Sequence, residues 1–308
     1  MSEPMWAADI DVDGALASKL VAGQFSEFTG AAVEPFGIGW DNAAFLIDGR
    51  VVFRFPRRRA FANLIEREIR LLPSIALRVP LPISAPQWAG TGTAEYPWVF
   101  AGYRMLPGST ACSAALSDAE RSALARPLGS FLRALHGIET TPLLALGLTG
   151  DEIGRLDHEK RMRAARERLG FLAALNALAD PDIFERWLAA NPPRQLGAER
   201  RRLVHGDLYA RHVLLDERTQ VSGVIDWGDV HLGDPAIDLA IAHLLLPSGA
   251  HAAFREAYGA VDDDAWQTAR YRAVYHAILE LDYGLRENDA GMQRIGSAAL
   301  ELLRPSLI

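Results

Sequence analysis

One cysteine, two lysines and no long apolar run set the first limits on this 308-residue chain. A lone Cys112 excludes an internal disulfide framework and any cysteine-clustered metal site, and it fits a reducing compartment. Of 32 basic residues only Lys19 and Lys160 are lysine, and no GxxxxGK[ST] occurs, so a P-loop is excluded. GxSxG and HExxH are missing too, which removes the common serine-hydrolase and zinc-protease signatures. No run approaches the ~20 apolar residues of a membrane helix. The opening MSEPMWAADIDVDG is acidic, with neither the basic nor the apolar region of a secretory signal. The expectation is a cytoplasmic protein with no membrane partner. A net charge of −7 without a basic stripe argues against a nucleic-acid partner and agrees with cationic ligands. No internal repeat is present.

With 49% hydrophobic residues, the chain can bury a large core and is long enough for two lobes. Most of its polar chemistry is gathered in residues 203 to 238, LVHGDLYARHVLLDERTQVSGVIDWGDVHLGDPAID. Two β-rich runs, 213 to 215 and 221 to 225, are parted by the turn-like DERTQ, which predicts a hairpin. Such a hairpin fixes what stands at its outer ends: His205-Gly206-Asp207-Leu208 with His212 before it, and Asp226-Trp227-Gly228 after it. Phosphoryl transfer needs a carboxylate to orient and deprotonate the attacking hydroxyl, and ligands that hold Mg²⁺ on the phosphates. Asp207, five residues before His212, fits the base of a kinase catalytic loop, and Asp226 fits the metal-binding aspartate that follows. Taken one at a time, these aspartates also read as turn and cap residues, and His205 and His212 as hydrogen-bonded core histidines.

The joint pattern HGDLYARHVLLD followed by VIDWGDVHLGDPAID resembles the aminoglycoside phosphotransferase family, including its macrolide-kinase relatives. The resemblance implies an α/β (α+β), two-lobed protein-kinase-like fold. It implies Asp207 as catalytic base, Asp226 as the principal Mg²⁺ ligand and Asp238 as a structural aspartate bracing the catalytic loop. The position five after the base, most often asparagine across the wider family, is His212 here. Histidine also stands there in macrolide kinases and in one branch of the aminoglycoside 2″-kinases. Mg²⁺ prefers oxygen, so His212 is the less usual metal partner of the two.

Upstream, a strand from 33, a glycine-bearing bend through Gly37, Gly39, Trp40 and Asp41, and a hairpin closed at Asp48-Gly49-Arg50 are expected. Gly37 and Gly39 would let backbone amides approach nucleotide phosphates; an ordinary turn is the other reading. In 51 to 56, VVFRFP, alternation puts Arg54 on the face opposite Phe53 and Phe55. The kinase layout has a lysine on this strand and none is near; the FRFP segment resembles the family's corresponding strand, which implies Arg54 as the phosphate contact, a role guanidinium suits. A helix over 60 to 72 carries its partner glutamate, Glu68, with Glu66 as the fallback. A strand over 98 to 105 runs into Leu106-Pro107-Gly108, a plausible lobe boundary. There the kinase layout implies a hinge in which the backbone of Arg104, Met105 and Leu106 meets the purine edge, beside Tyr103.

The expected division is an N-lobe over 1–107 that binds nucleotide and a C-lobe over 108–308 that holds the catalytic and substrate-binding groups. Helices are expected from 117, with Pro127 kinking or splitting the first stripe, and then over 155 to 178, 184 to 190, 236 to 246, 250 to 259, 263 to 286 and 289 to 303. Asp262, Asp263, Asp264, Glu280, Asp282, Glu287 and Asp289 make the C-terminal end acidic, able to hold a polyamine sugar or simply solvated. The expected reaction is transfer of the γ-phosphoryl group of ATP or GTP, with Mg²⁺, to a hydroxyl of a small molecule. An aminoglycoside antibiotic is the first acceptor considered. A macrolide 2′-phosphotransferase, favoured by His212 and the apolar Leu244-Leu245-Leu246, is the first alternative. A sugar or amino-alcohol kinase and a non-catalytic nucleotide-binding pseudokinase follow, as a monomer or a homodimer.

Overall fold

The alternating segments either side of Asp48-Gly49 fold back on each other because both turn residues take positive φ, 48° and 63°. The computed structural model describes residues 9–39, 42–194 and 196–307. Trp40 and Asp41, at the bend, and the first eight residues of the acidic opening lie outside the described residues. By internal contacts the chain forms two compact units. One comprises residues up to Leu77, Ile83–Leu106 and Leu143–Leu148; the other comprises Arg78–Pro82, Pro107–Pro142 and residues from Thr149 on.

The first unit begins with α1 (Gly14–Gln24), whose N-terminus is capped by the Asp13 carboxylate accepting from Leu16 N–H at 2.8 Å. Then come β1 (Val33–Ile38), β2 (Asn42–Ile47), β3 (Val51–Pro56), α2 (Arg59–Ala76), β4 (Pro86–Gly90) and β5 (Phe100–Arg104). The five strands form one sheet in the order β1-β2-β3-β5-β4, every neighbour antiparallel. Phe45, Phe53, Phe55, Tyr96 and Phe100 bury one face together with Leu20 and Val21 of α1. On the other side Ile65 of α2 packs with Ala101 and Tyr103 of β5. The helix outruns its expected end at 72 and carries Pro73 inside; burial of Leu71, Leu72 and Ile75 offsets the hydrogen bond that proline removes.

The second unit contains β6 (Ser109–Thr110), α3 (Asp118–Ala123), α4 (Ala125–His136) and the first residues of α5 (Thr141–Ala145). It continues with α6 (His158–Ala174), α7 (Pro181–Ala190), β7 (Arg202–Val204), β8 (Val213–Leu215), β9 (Val221–Val224) and β10 (His231–Gly233). It ends with α8 (Ala236–Leu245), α9 (His251–Tyr258), α10 (Asp263–Arg286) and α11 (Ala290–Leu303). Pro127, expected to kink or split the apolar stripe, leaves Leu128, Phe131, Leu132 and Leu135 on one helix: the break falls before it, at Leu124, and the proline sits in the first turn of α4 where its missing N–H costs least. The predicted hairpin is β8–β9, antiparallel with a register shift at Leu214/Leu215. The pairing of β7 with β10 was not foreseen, because three-residue strands leave no periodicity to read. Helix α8 is buried on every side, as its apolar sequence implies. Leu244, Leu245 and Leu246 are 6%, 2% and 1% exposed, so this stretch is core and offers no surface to a macrolide. Among the described residues no helix is long and apolar enough to cross a membrane. The chain has an antiparallel-sheet unit and a mainly helical unit, the α+β class expected.

Candidate active site

The loop between β7 and β8 is built around a buried carboxylate. Asp238 on α8 is fully buried and accepts from His205 N–H at 2.7 Å and His136 Nε2–H at 3.1 Å through one oxygen, and from Gly206 N–H at 2.9 Å through the other. Burial works to raise its pKa, yet the hydrogen bond and charge of His136, with His205 and the Gly206 amide, hold it below the usual carboxylate range. Gly206 takes φ 88°, and a Cβ there would stand 2.3 Å from the Asp229 carbonyl oxygen and 2.8 Å from His231 Nδ1. Only glycine makes this turn. His205 lies fully buried against the Trp227 ring and is pushed by burial down to about 4. Its Nε2–H therefore donates to the Ile225 carbonyl at 3.0 Å, and Nδ1 accepts from Asp207 N–H at 3.3 Å.

This scaffold presents Asp207 and Asp226 to one imidazole. His212 Nδ1 lies 2.7 Å from the Asp207 carbonyl oxygen and 3.8 Å from Asp207 Oδ2, while Nε2 lies 3.4 Å from Asp226 Oδ2. A carbonyl only accepts, so Nδ1 carries a proton, and Nε2 is the ring atom that faces the Asp226 carboxylate. A proton on Nε2, or a cation held between Nε2 and the carboxylate, satisfies that contact. The donor set fits Mg²⁺, which binds through one or two carboxylates and completes its shell with phosphate oxygens and water, although nitrogen is its less favoured ligand. Among the described residues no group of three His, Cys, Asp or Glu forms a metal cage. Asp226 is about half exposed and sits at φ 62°, a conformation a non-glycine residue adopts at some cost and keeps where the surroundings fix it. Asp207 has its pKa raised, chiefly because burial penalises the charged form; His212 and Arg272 pull it down, and Asp229 and Asp226 push it up.

The other expected residues are in the first unit. Arg54 Nη1 lies 3.2 and 3.3 Å from the two oxygens of Glu68, which is 1% exposed and also accepts from the Tyr103 hydroxyl at 2.8 Å. Arg54 stacks 5.6 Å from the Tyr103 ring centroid, so the strand arginine and the helix glutamate meet as one ion pair. Gly37 sits in β1 beside a register shift, and Gly39 N–H donates to the Asn42 carbonyl at 2.9 Å, closing the bend on itself. Arg104 ends β5 with its Nε donating to Gln87, Met105 N–H donates to the Arg50 carbonyl at 2.9 Å, and Leu106 ends the unit's Ile83–Leu106 segment.

Three contributors were missed. His136 orients Asp238 from α4. Arg155, 4% exposed, donates from Nε to the Gly206 carbonyl at 2.8 Å and pairs with Asp151 and Asp229, tying both sides of the loop. Arg272 of α10 places Nη2 3.8 Å from Asp207 Oδ1. The signal for Arg272 was there: Arg272, His276 and Glu280 recur every fourth residue on a helix whose other positions there are apolar. A surface recess lined by Ile183, Arg186, Trp187, Ala190, Asn191 and Leu307 includes none of the residues expected to act.

The family model described as APH, phosphotransferase enzyme family, matches residues 32–273. Viomycin phosphotransferase of Streptomyces vinaceus is 30% identical over 219 residues, covering 63% of this chain and 67% of that protein. YcbJ of Bacillus subtilis is 26% identical over 231 residues, 70% of this chain and 69% of that protein. A solved GDP complex of aminoglycoside 2′-phosphotransferase-IIIa superposes with a TM-score of 0.67 at 23% identity, covering 96% of this chain and 99% of the other. A macrolide 2′-phosphotransferase from Brachybacterium faecium gives 0.55 at 24% identity, over 88% and 91%. At these identities the structures establish a shared fold. The family model spans both units, from the sheet to α10, and takes in the loop that carries Asp207 and Asp226: the chain belongs to the phosphotransferase enzyme family and is a small-molecule kinase.

Proposed function

We propose that the protein transfers the γ-phosphoryl group of ATP or GTP, with Mg²⁺, to a hydroxyl of a small molecule. The observation that carries this reading is the single imidazole of His212 flanked by Asp207 and Asp226 at 3.8 and 3.4 Å. Asp207 orients the acceptor hydroxyl and takes its proton at a carboxylate oxygen. Its raised pKa brings it closer to the operating pH, which favours a general base. Asp226 and His212 Nε2 would hold the metal, which when bound neutralises charge on the phosphates. Arg54, held by Glu68, contacts the phosphates, with the amide of Gly37 near them; the backbone at Arg104, Met105 and Leu106 meets the base. Nucleotide binding is assigned to the first unit and the chemistry to the second.

An aminoglycoside is the acceptor that family likeness suggests, and viomycin phosphotransferase is an antibiotic-modifying relative by name. A specific observation favours a second reading, an acceptor without several positive charges. Most of the acidic residues expected to hold a polyamine are already matched. Asp262 caps α10 and pairs with Arg200, Asp264 pairs with Arg194, Asp282 with Arg286 and Arg168, and Asp289 with Arg211. Glu280 is pushed by burial up to about 8 and is protonated at neutral pH. The test is a transfer screen on purified protein with both nucleotides over aminoglycosides, macrolides, sugars, amino alcohols and hydroxy acids. Acceptor- and Mg²⁺-dependent product is expected; nucleotide binding with no transfer to any acceptor would overturn the reading in favour of a pseudokinase.

A further inference from the structure

We propose that Arg272 anchors an anionic group of the acceptor, so that the substrate is an alcohol that also carries a carboxylate or phosphate. This rests on Asp207 being the base. Arg272 is 6% exposed, and its one polar partner among the described residues is Asp207 Oδ1 at 3.8 Å, beyond hydrogen-bond reach. Its guanidinium otherwise lies 6.0 Å from the Tyr275 ring centroid. Arg155, equally buried, shows the contrast: its Nε donates to Gly206 and its two terminal nitrogens pair with Asp151 and Asp229. A guanidinium offers five N–H groups in a planar fork, and no protein group lies within hydrogen-bond reach of those of Arg272 among the described residues. A planar oxyanion that accepts two parallel bonds is the group that satisfies them.

The surroundings carry the same sign. One turn along α10, both ring nitrogens of His276 are buried with no hydrogen-bond partner among the described residues, and the nearest carboxyl, Glu280, is 3.5 Å away. Tyr209 links α10 to the loop that carries Asp207, its ring 4.4 Å from that of His212 and 4.8 Å from that of His276. Burial keeps His276 neutral and Glu280 protonated at pH 7, so Arg272 is the charge this face of the helix presents. A polycation entering here meets a buried arginine and carboxylates already paired. An anion meets unused donors. Because Arg272 stands beside the carboxylate that receives the hydroxyl proton, hydroxyl and anionic group belong to one small molecule, a few bonds apart.

The probes are a ladder of ω-hydroxycarboxylates and hydroxyalkyl phosphates, each with its methyl ester or its ω-hydroxyamine counterpart, offered to the full chain with Mg²⁺ and ATP and read by ³¹P NMR. Free acids or phosphates should exceed their esters and amines at least tenfold in kcat/KM, and the two arms tell carboxylate from phosphate. Arg272→Gln should raise KM for the preferred acid by about 10- to 100-fold, the range of a lost charge-assisted hydrogen bond, with kcat within a few-fold. Arg272→Lys should restore part of the loss. Equal or better turnover of esters or amines overturns the inference, as does a fall in kcat with KM unchanged, which would make Arg272 a positioning residue for Asp207. Thermal-shift binding keeps this apart from the kinase reading. Acids that raise the melting temperature of wild type but not of Arg272→Gln support the anchor even where no transfer occurs; acids that shift neither overturn it. If an uncharged acceptor is phosphorylated in an Asp207-dependent way, the kinase stands and the anchor falls.

Discussion

Replacing Asp238 by asparagine should both loosen the second unit and disable transfer, although residue 238 never touches substrate. The side chain is fully buried and receives three donors, at 2.7, 2.9 and 3.1 Å. Asparagine keeps one acceptor oxygen and turns an NH₂ toward donors that need an acceptor. At least one backbone N–H of His205 or Gly206 is then left unmet, at about 1–3 kcal/mol, and His136 loses the charge it faces. Removing one partner from a buried ionic network typically costs about 3–5 kcal/mol in all, a large part of the ~5–15 kcal/mol that holds a protein folded. The loop also shifts, and a displacement of ~1 Å at a reacting group can cost a hundredfold in rate. Urea unfolding should show the loss of stability, and transfer assays at saturating nucleotide should show kcat down by about two orders of magnitude. A variant with unchanged midpoint and unchanged kcat would refute the view that this carboxylate holds the loop in place.

Gly206→Ala should fail for a different reason: φ 88° is strained for alanine by about 1–2 kcal/mol, and the added methyl meets backbone at 2.3 Å. Low kcat with a lowered melting temperature is expected, and wild-type behaviour would show that the loop can relax. Glu68→Gln weakens the grip on Arg54 and should raise the nucleotide KM by roughly tenfold, on the scale of one charge-assisted bond, with the KM for acceptor little changed in steady-state kinetics. His205, His231, His243, His251 and His276 are all held below their ordinary pKa, chiefly by burial. Each is neutral when folded and binds a proton when unfolded below pH 6.5, so the unfolded state takes up more protons and stability falls as pH drops below 6.5. For His205 that loss continues to about pH 4. Denaturation midpoints measured from pH 7.5 to 5 should decline steeply; a flat profile would contradict neutral buried imidazoles.

How much could be read beforehand depended on whether the signal was local. Val213 to Leu215 and the run from Val221 announce a hairpin, and that hairpin brings Asp207, His212 and Asp226 together over a span of twenty residues. The Arg54–Glu68 pair was legible for the same reason, because one strand and the next helix carry it. Contacts set by tertiary packing were not. His136 reaches Asp238 across 102 positions, and Arg272 reaches Asp207 from a helix whose sequence shows a polar stripe but not what faces it. The acidic C-terminal end left two readings open, a polyamine site and a solvated surface: a count of carboxylates cannot show that arginines already occupy them, and burial that protonates Glu280 is a property of the fold.

The most direct test is single-turnover transfer of labelled γ-phosphate to the accepted substrate by wild type and Asp207→Asn, both saturated with Mg²⁺ and nucleotide. Loss of the base should slow the step by roughly 10²- to 10⁴-fold while nucleotide affinity stays within a few-fold. Transfer at the wild-type rate in Asp207→Asn would contradict the account at its centre.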